Sequence, residues 1–317
     1  MRNKEELKRA VCEVIDQRRE EIIGIGDDIL RNPETGFKEV RTAQLVAETM
    51  AGLDLNPETG LAITGVKGRM KTQGEGPSLA LLGELDSLKV SEHRFANEDT
   101  HAAHACGHNA QIAGMLGAAM GLHGAGATEE LTGDLIFFAV PAEEFIEVDY
   151  RLGLREEGKI GLLTGKGELI RLGHFDDVDL AMMIHTSNGS DHVAGLVDSS
   201  NGSVVKKIRF LGRAAHAGSR PQAGINALNA ANLAMTAIAL NRETFYDADT
   251  IRIHPIITKG GDAVNVVPAE VTMETFVRGR TLDAFLDANE KVDRSLRGAA
   301  IAMGCEVEIQ TIPGYMP

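Results

Sequence analysis

Five of the ten histidines, His93, His101, His104, His108 and His123, fall within 31 residues, where an even spread over 317 would put about one. The centre of the cluster is HACGHNAQIAGMLGAAMG, in which Cys106 and His108 sit two apart just ahead of a helical pattern whose apolar stripe is Ile112, Met115, Leu116 and Ala119. A thiol at a helix N-terminus is expected to have a lowered pKa, and the thiolate is the form that binds metal. Alone, the pair is better read as a small core cysteine beside surface histidines. Glu143 and Glu144 shift the balance, because adjacent carboxylates after an apolar strand repel unless a cation or a shared proton lies beside them. Metal hydrolases use such a pair, one carboxylate on the ion and the other moving protons, although a solvated helix N-terminus accounts for it equally well. With His185 closing a third apolar run, the set of thiolate, imidazoles and carboxylate suits zinc, nickel, cobalt or manganese better than magnesium or calcium.

These residues are far apart in sequence, so the elements must bring them together. Residues 5–30 read as one charged amphipathic helix closed by Pro33 and Gly36, and RTAQLVAETMAGL as a second. The apolar runs in SLALLGELDSL, LIFFAVPAEE and LAMMIHTS read as buried strands that stop at Glu84 and Asp86, at Pro141 before the two glutamates, and at His185. In an open α/β sheet, ligands bind outside such carboxyl ends. After Gly202 the pattern becomes β-α-β-β-α-β and is complete near residue 311, the order of a ferredoxin-like domain. Two domains are also what a chain of this length leads one to expect.

Composition narrows the function classes. The net charge of −14 and pI near 5.2 argue against nucleic acid or an anionic membrane as the partner. Cys12, Cys106 and Cys305 are too few and too scattered for a disulfide framework, and the charged start MRNKEELKRA has no apolar h-region. No run approaches the roughly 18 apolar residues of a membrane span. The expectation is a soluble protein of the reducing cytoplasm.

GELDSL, HACGHNAQ, PAEE, His185, GRAAHAGSRPQAGINAL and GGDAVNVVPAEV follow one another as in the zinc amidohydrolases of metallopeptidase family twenty, which include aminoacylase, glutamate carboxypeptidase and the indole-acetyl-amino-acid hydrolases. The chain resembles that family over essentially its whole length, NPETGFKEVRTAQ included, and most closely its Cys-containing amidohydrolase branch. The resemblance implies an α/β, zinc-exopeptidase-like catalytic domain over 1–201, an inserted ferredoxin-like α+β satellite domain over 202–312 that mediates dimerisation, and a return toward the catalytic domain at 313–317. It implies that Cys106, His108, Glu144 and His185 bind two divalent metal ions, zinc first, with manganese, nickel or cobalt as alternatives. Glu143 would be the general base and acid, and Asp86 would orient a ligand. His216 would reach a neighbouring subunit's site to support the oxyanion, Asn265 would help hold the substrate, and Arg278 would clamp a substrate carboxylate. Without the resemblance, His216, Asn265 and Arg278 read as loop, turn and strand-end residues. His101 and His104 read as shaping or lining the cluster, and His93, His123, His174, His192 and His254 as ordinary.

Two features depart from the family pattern. Asn109 and Gln111 stand where an acidic residue and a histidine are usual, which leaves the substrate open. Family members continue beyond the equivalent of Pro317 with closing strands, a helix and one more ligating histidine, so the chain is expected to be C-terminally shortened and that return segment absent. The expected function is metal-dependent hydrolysis of the amide bond of an N-acyl or N-aroyl amino acid, or of a small peptide-like conjugate, by a homodimer. The alternative is a catalytically impaired homologue acting as a dimerising or substrate-binding protein.

Overall fold

Apolar strands without polar alternation need cover on both faces, and the computed structural model, which describes residues 2–187, 194–197 and 199–317, supplies it for two of the three runs. The chain divides into two compact units, 1–191 and 192–317. His192 lies outside the described residues.

The first unit opens with α1 (Lys4–Gln17) and α2 (Arg19–Arg31). The single helix expected over 5–30 is two, because Arg18, at φ −96° and ψ 12°, ends one and starts the other. There follow α3 (Val40–Ala51), β1 (Glu58–Leu61), β2 (Gly65–Met70), β3 (Leu79–Glu84), the short pair β4 (Leu88–Lys89) and β5 (Ala102–Ala103), and α4 (His108–Gly124). The unit ends with β6 (Leu135–Val140), α5 (Val148–Glu156), α6 (Gly165–Arg171) and β7 (Leu180–Met183). The main sheet runs β1-β2-β6-β3-β7, with β6, β3 and β7 parallel. Glu84 pairs with Val140 and Leu82 with Met183, so the three carboxyl ends lie side by side as expected.

Both faces of β6 are covered. Phe137 and Ala139 join Ile29, Val46, Ile112 and Leu116 in one core, while Ile136, Phe138 and Val140 join Leu82 and Leu169 in another. Helix α4 is buried nearly all round, His108 and Gln111 included, because glycine lets its neighbours close in. A Cβ on Gly121 would lie 2.7 Å from Ile15, and one on Gly117 3.2 Å from Ile22. Strand β7 corrects the sequence reading, for all four of its residues are exposed. Among the described residues it is the outer strand of the sheet, bonded to β3.

The second unit has the expected order: β8 (Gly202–Leu211), α7 (Ala227–Leu240), β9 (Arg252–Ile253), β10 (Ile256–Lys259), β11 (Glu270–Gly279), α8 (Leu282–Met303) and β12 (Glu306–Pro313). Pro255, which has no N–H to give a ladder, separates β9 from β10. The antiparallel order β10-β11-β8-β12, with two helices against one core, is ferredoxin-like. Ile208, Phe210, Val271 and Met273 pack with Ala230, Ala234 and Leu296, and Lys206 in the same alternation is fully buried and paired with Asp293 of α8. Arg209, on the opposite face, lies between Glu270 and Glu308 at 2.9 and 3.3 Å. Among the described residues no helix is long and apolar enough to cross a membrane.

Candidate metal centre

Three local devices assemble the site. Strand β6 delivers the chain to Pro141, and Ala142 then takes φ +48°, a left-handed conformation that costs a residue with a Cβ about 1–2 kcal/mol. Glu143 and Glu144 follow in a loop; α5 does not begin until Val148, so the pair is not a solvated helix start. Gly107, at φ +91°, caps α4 where a Cβ would strike Thr186. The close approach lets Thr186 Oγ1 donate to the Cys106 carbonyl at 2.8 Å and sets His185 Nε2 3.4 Å from Cys106 Sγ.

Two groups of donor atoms result, each within 4.8 Å: Cys106, His108 and His185, and Glu84, His108 and Glu143. They share His108, whose ring meets that of His185 edge-on at 5.7 Å. Glu144 Oε1 stands 4.0 Å from His108 Nε2. Asp86, fully buried, offers its carbonyl oxygen to His108 Nδ1 at 2.8 Å and accepts the Glu144 N–H on Oδ2 at 2.9 Å. It therefore orients two expected ligands, one by its ring and one by its backbone.

The cluster is strongly acidic. Burial, with the charges of Glu84, Glu144 and Asp86, pushes Glu143 up to about 7 against the opposing charge of Lys166, and burial also raises Glu144. For His108, burial opposes the charged form, but the Asp86 hydrogen bond and the charges of Glu84 and Asp86 outweigh it and lift the group to about 9. His104, buried beside His108, is brought down to about 4. Cys106 overturns the expectation of a lowered thiol pKa: burial, then the neighbouring glutamates, push it up to about 12. The helix dipole is too weak to compensate for so many carboxylates.

The donor set fits a divalent cation. His108 Nε2 and Glu84 Oε2 lie 3.1 Å apart, both buried, and neither has a hydrogen-bond partner among the described residues. A bound cation would satisfy both atoms, relieve the repulsion among the carboxylates and deprotonate the thiol. The mixture of sulfur, imidazole and carboxylate is that of a transition metal. Sequence reasoning missed Glu84, read only as the end of a strand, and Lys166 of α6, which pairs with it. A carboxylate closing a buried strand two residues before Asp86 was the available signal; the lysine left none.

The remaining expected residues lie in the second unit. Exposed His216 accepts the N–H groups of Gly218 and Ser219 on Nδ1, both at 3.1 Å, and pairs by backbone with Val266. Ala217 N donates to the Asn265 carbonyl at 2.9 Å, so His216 and Asn265 share one loop cluster. Arg278 is not brought to them. It stands eight residues along β11 from Glu270, about 26 Å at the usual strand rise, with its guanidinium 4.7 Å from the Phe276 ring centroid.

Residues 199–301 match the family model described as a peptidase dimerisation domain. The chain is 29% identical over 319 residues to the Xaa-Arg dipeptidase of Mus musculus, an alignment covering 96% of this chain and 66% of that protein. It is 31% identical over 259 residues to the indole-3-acetyl-aspartic acid hydrolase of Enterobacter agglomerans, covering 78% and 55%. The chain thus spans about two thirds or less of these curated relatives' length. A solved Bacillus subtilis structure, described as a dinuclear metal binding peptidase of the same family, shares the fold with a TM-score of 0.63 at 22% identity over 95% of this chain and 75% of that one. Motifs, fold and relatives agree that the chain belongs to metallopeptidase family twenty.

Proposed function

We propose that the protein is a metal-dependent amidohydrolase acting on an N-acyl or N-aroyl amino acid or a small peptide-like conjugate. The observation that carries this is the pair of donor groups sharing His108, set at the carboxyl ends of three parallel strands around buried polar atoms that lack hydrogen-bond partners among the described residues. Cys106, His108, Glu144 and His185 would hold two divalent ions, zinc first, with manganese, nickel or cobalt as alternatives. When bound, such ions polarise the amide carbonyl and make water acidic enough to attack near neutral pH.

Glu143 is the proton carrier of this reading. Its carboxylate takes a proton from the attacking water as that oxygen adds to the carbonyl carbon. It returns the proton to the amide nitrogen as the C–N bond breaks. Asp86 fixes the His108 ring and the Glu144 backbone. His216 would support the oxyanion and Asn265 the substrate, while Arg278 would bind a substrate carboxylate. The domain reading assigns 1–201 to catalysis and 202–312 to a satellite that pairs two copies of the chain, with 313–317 leading back. Three free cysteines accord with a reducing cytoplasm.

The test is metal analysis of chelator-free protein, with turnover measured across N-acyl amino acids. About two ions per chain are expected, and Glu143→Ala should abolish turnover with metal content unchanged. Turnover retained in protein stripped of metal would overturn the assignment.

A further inference from the structure

Arg151 of α5 is fully buried and has no part in the chemistry above. Its Nη1 donates to the carbonyls of Leu163 at 2.8 Å and Ala142 at 3.4 Å, and its Nη2 to the carbonyl of Glu144. The guanidinium lies near the rings of Phe37 and Phe145, 5.4 and 5.6 Å from their centroids. Glu39, just ahead of α3, is equally buried; its Oε1 accepts the Ala142 N–H at 2.8 Å and its Oε2 the Thr64 hydroxyl at 2.7 Å. Both backbone polar groups of Ala142 are therefore held by buried ionisable side chains, and Ala142 is the residue with the left-handed φ. Two glycines complete the cradle. A Cβ on Gly36 would collide with Arg151 and Ala142, and one on Gly165 with the Pro141 carbonyl, while Gly165 N donates to the Ala142 carbonyl at 3.1 Å.

We propose that Arg151 and Glu39 are positioning residues that clamp Ala142 in its left-handed turn and so set the aim of Glu143 and Glu144. The proposal rests on the role given to those two carboxylates above. Taking a guanidinium and a carboxyl out of water is costly where apolar side chains would pack as well. These two converge on one strained residue, immediately before the pair whose direction decides the site. Return of Ala142 to negative φ would swing Glu143 and Glu144 away from His108.

The test uses the full chain carrying Arg151→Met, Arg151→Lys, Glu39→Ala, and Arg151→Met combined with Ala142→Gly. Two quantities are read: hydrogen–deuterium exchange of the segment 140–146 in metal-free protein, which needs neither ion nor turnover, and zinc affinity. Arg151→Met should speed exchange in that segment while the rest of the first unit keeps its protection, and should weaken zinc binding by about 10- to 100-fold. Arg151→Lys, which keeps the charge but cannot span three carbonyls, should fall between. Glycine adopts positive φ without penalty, so Ala142→Gly should recover much of both losses, a rescue that simple core damage would not show. Should Arg151→Met fail to fold, Glu39→Ala carries the same expectation. Wild-type exchange in both folded single variants, or a general loss of protection that Ala142→Gly does not repair, would overturn the clamp. Faster exchange in a protein that binds no zinc even as wild type would uphold the clamp and refute the metal reading.

Discussion

Asp86 and His108 meet through the main chain: His108 Nδ1 lies 2.8 Å from the Asp86 carbonyl oxygen, with the Asp86 carboxylate Oδ1 behind it at 3.5 Å. A carbonyl can only accept, so Nδ1 carries a proton and donates it there, while Nε2 faces Glu84 and the other metal donors. The other carboxylate oxygen of Asp86 fixes Glu144 by its N–H.

Removal of that carboxylate therefore loosens two donors at once. Asp86→Ala is expected to lower metal affinity by about 10- to 100-fold while circular dichroism stays unchanged, as measured by competition with a chromophoric chelator. Undiminished affinity would mean that the carbonyl alone is sufficient to hold the ring.

The Glu143 loop also depends on a close approach that no side chain makes. Gly165 opens α6 against the Pro141 carbonyl, where a methyl group has no room. Gly165→Ala should cost about 1–3 kcal/mol or more, as overpacking does, and should impair metal binding at denaturant concentrations where the helices persist. Urea titrations followed by circular dichroism and by metal content check this; superimposable curves for variant and wild type would refute it.

A different expectation attaches to the second unit, where Lys206 is fully buried and pairs with Asp293 and the Thr311 hydroxyl. Burial pulls the lysine pKa down while Asp293 pulls it back up. Asp293→Leu leaves an uncompensated buried ammonium and should cost about 3–5 kcal/mol, whereas adding Lys206→Met should recover most of the loss. Denaturant unfolding of the single and double variants measures the coupling. Equal stabilities of the two would show that the ammonium reaches water.

The sequence carried the parts of this protein that depend on periodicity. The apolar runs at Leu79 and Leu135 became strands ending at the site, and the β-α-β-β-α-β order after Gly202 became the ferredoxin-like unit. Exposure of β7 was not legible, because an apolar run specifies a strand but not whether a neighbour covers it. The rise in the Cys106 pKa was missed for a related reason: helix position is local, whereas the burial, and the opposing carboxylates from β3 and the loop after β6, come from the fold. Arg151 and Glu39 look like surface residues in sequence, and only the fold shows that both are spent on the backbone of Ala142.

Acid should act on the entry to α5 through Glu147, whose Oε1 lies 2.9 Å from both Lys38 Nζ and Lys89 Nζ. Burial works to raise its pKa, but the Thr35 hydrogen bond and the two ammonium groups overcome that and bring it to about 2, against an ordinary value of 4.5. The folded value is the lower one, so protons bind the unfolded chain more tightly. The stabilisation is complete above about pH 4.5 and drains away as pH falls toward 2. Glu147→Gln lacks this stabilisation, so its stability deficit, read by urea unfolding, should be largest near pH 6 and should shrink steadily between about pH 5 and pH 3. Because Glu147 stands at the N-cap position of the helix that carries Arg151, and its ion pairs with Lys38 and Lys89 anchor that position, the same variant should show faster hydrogen exchange at the start of α5. A deficit independent of pH would mean that Glu147 acts through the backbone of the cap, and that its two lysine partners are held too loosely to contribute.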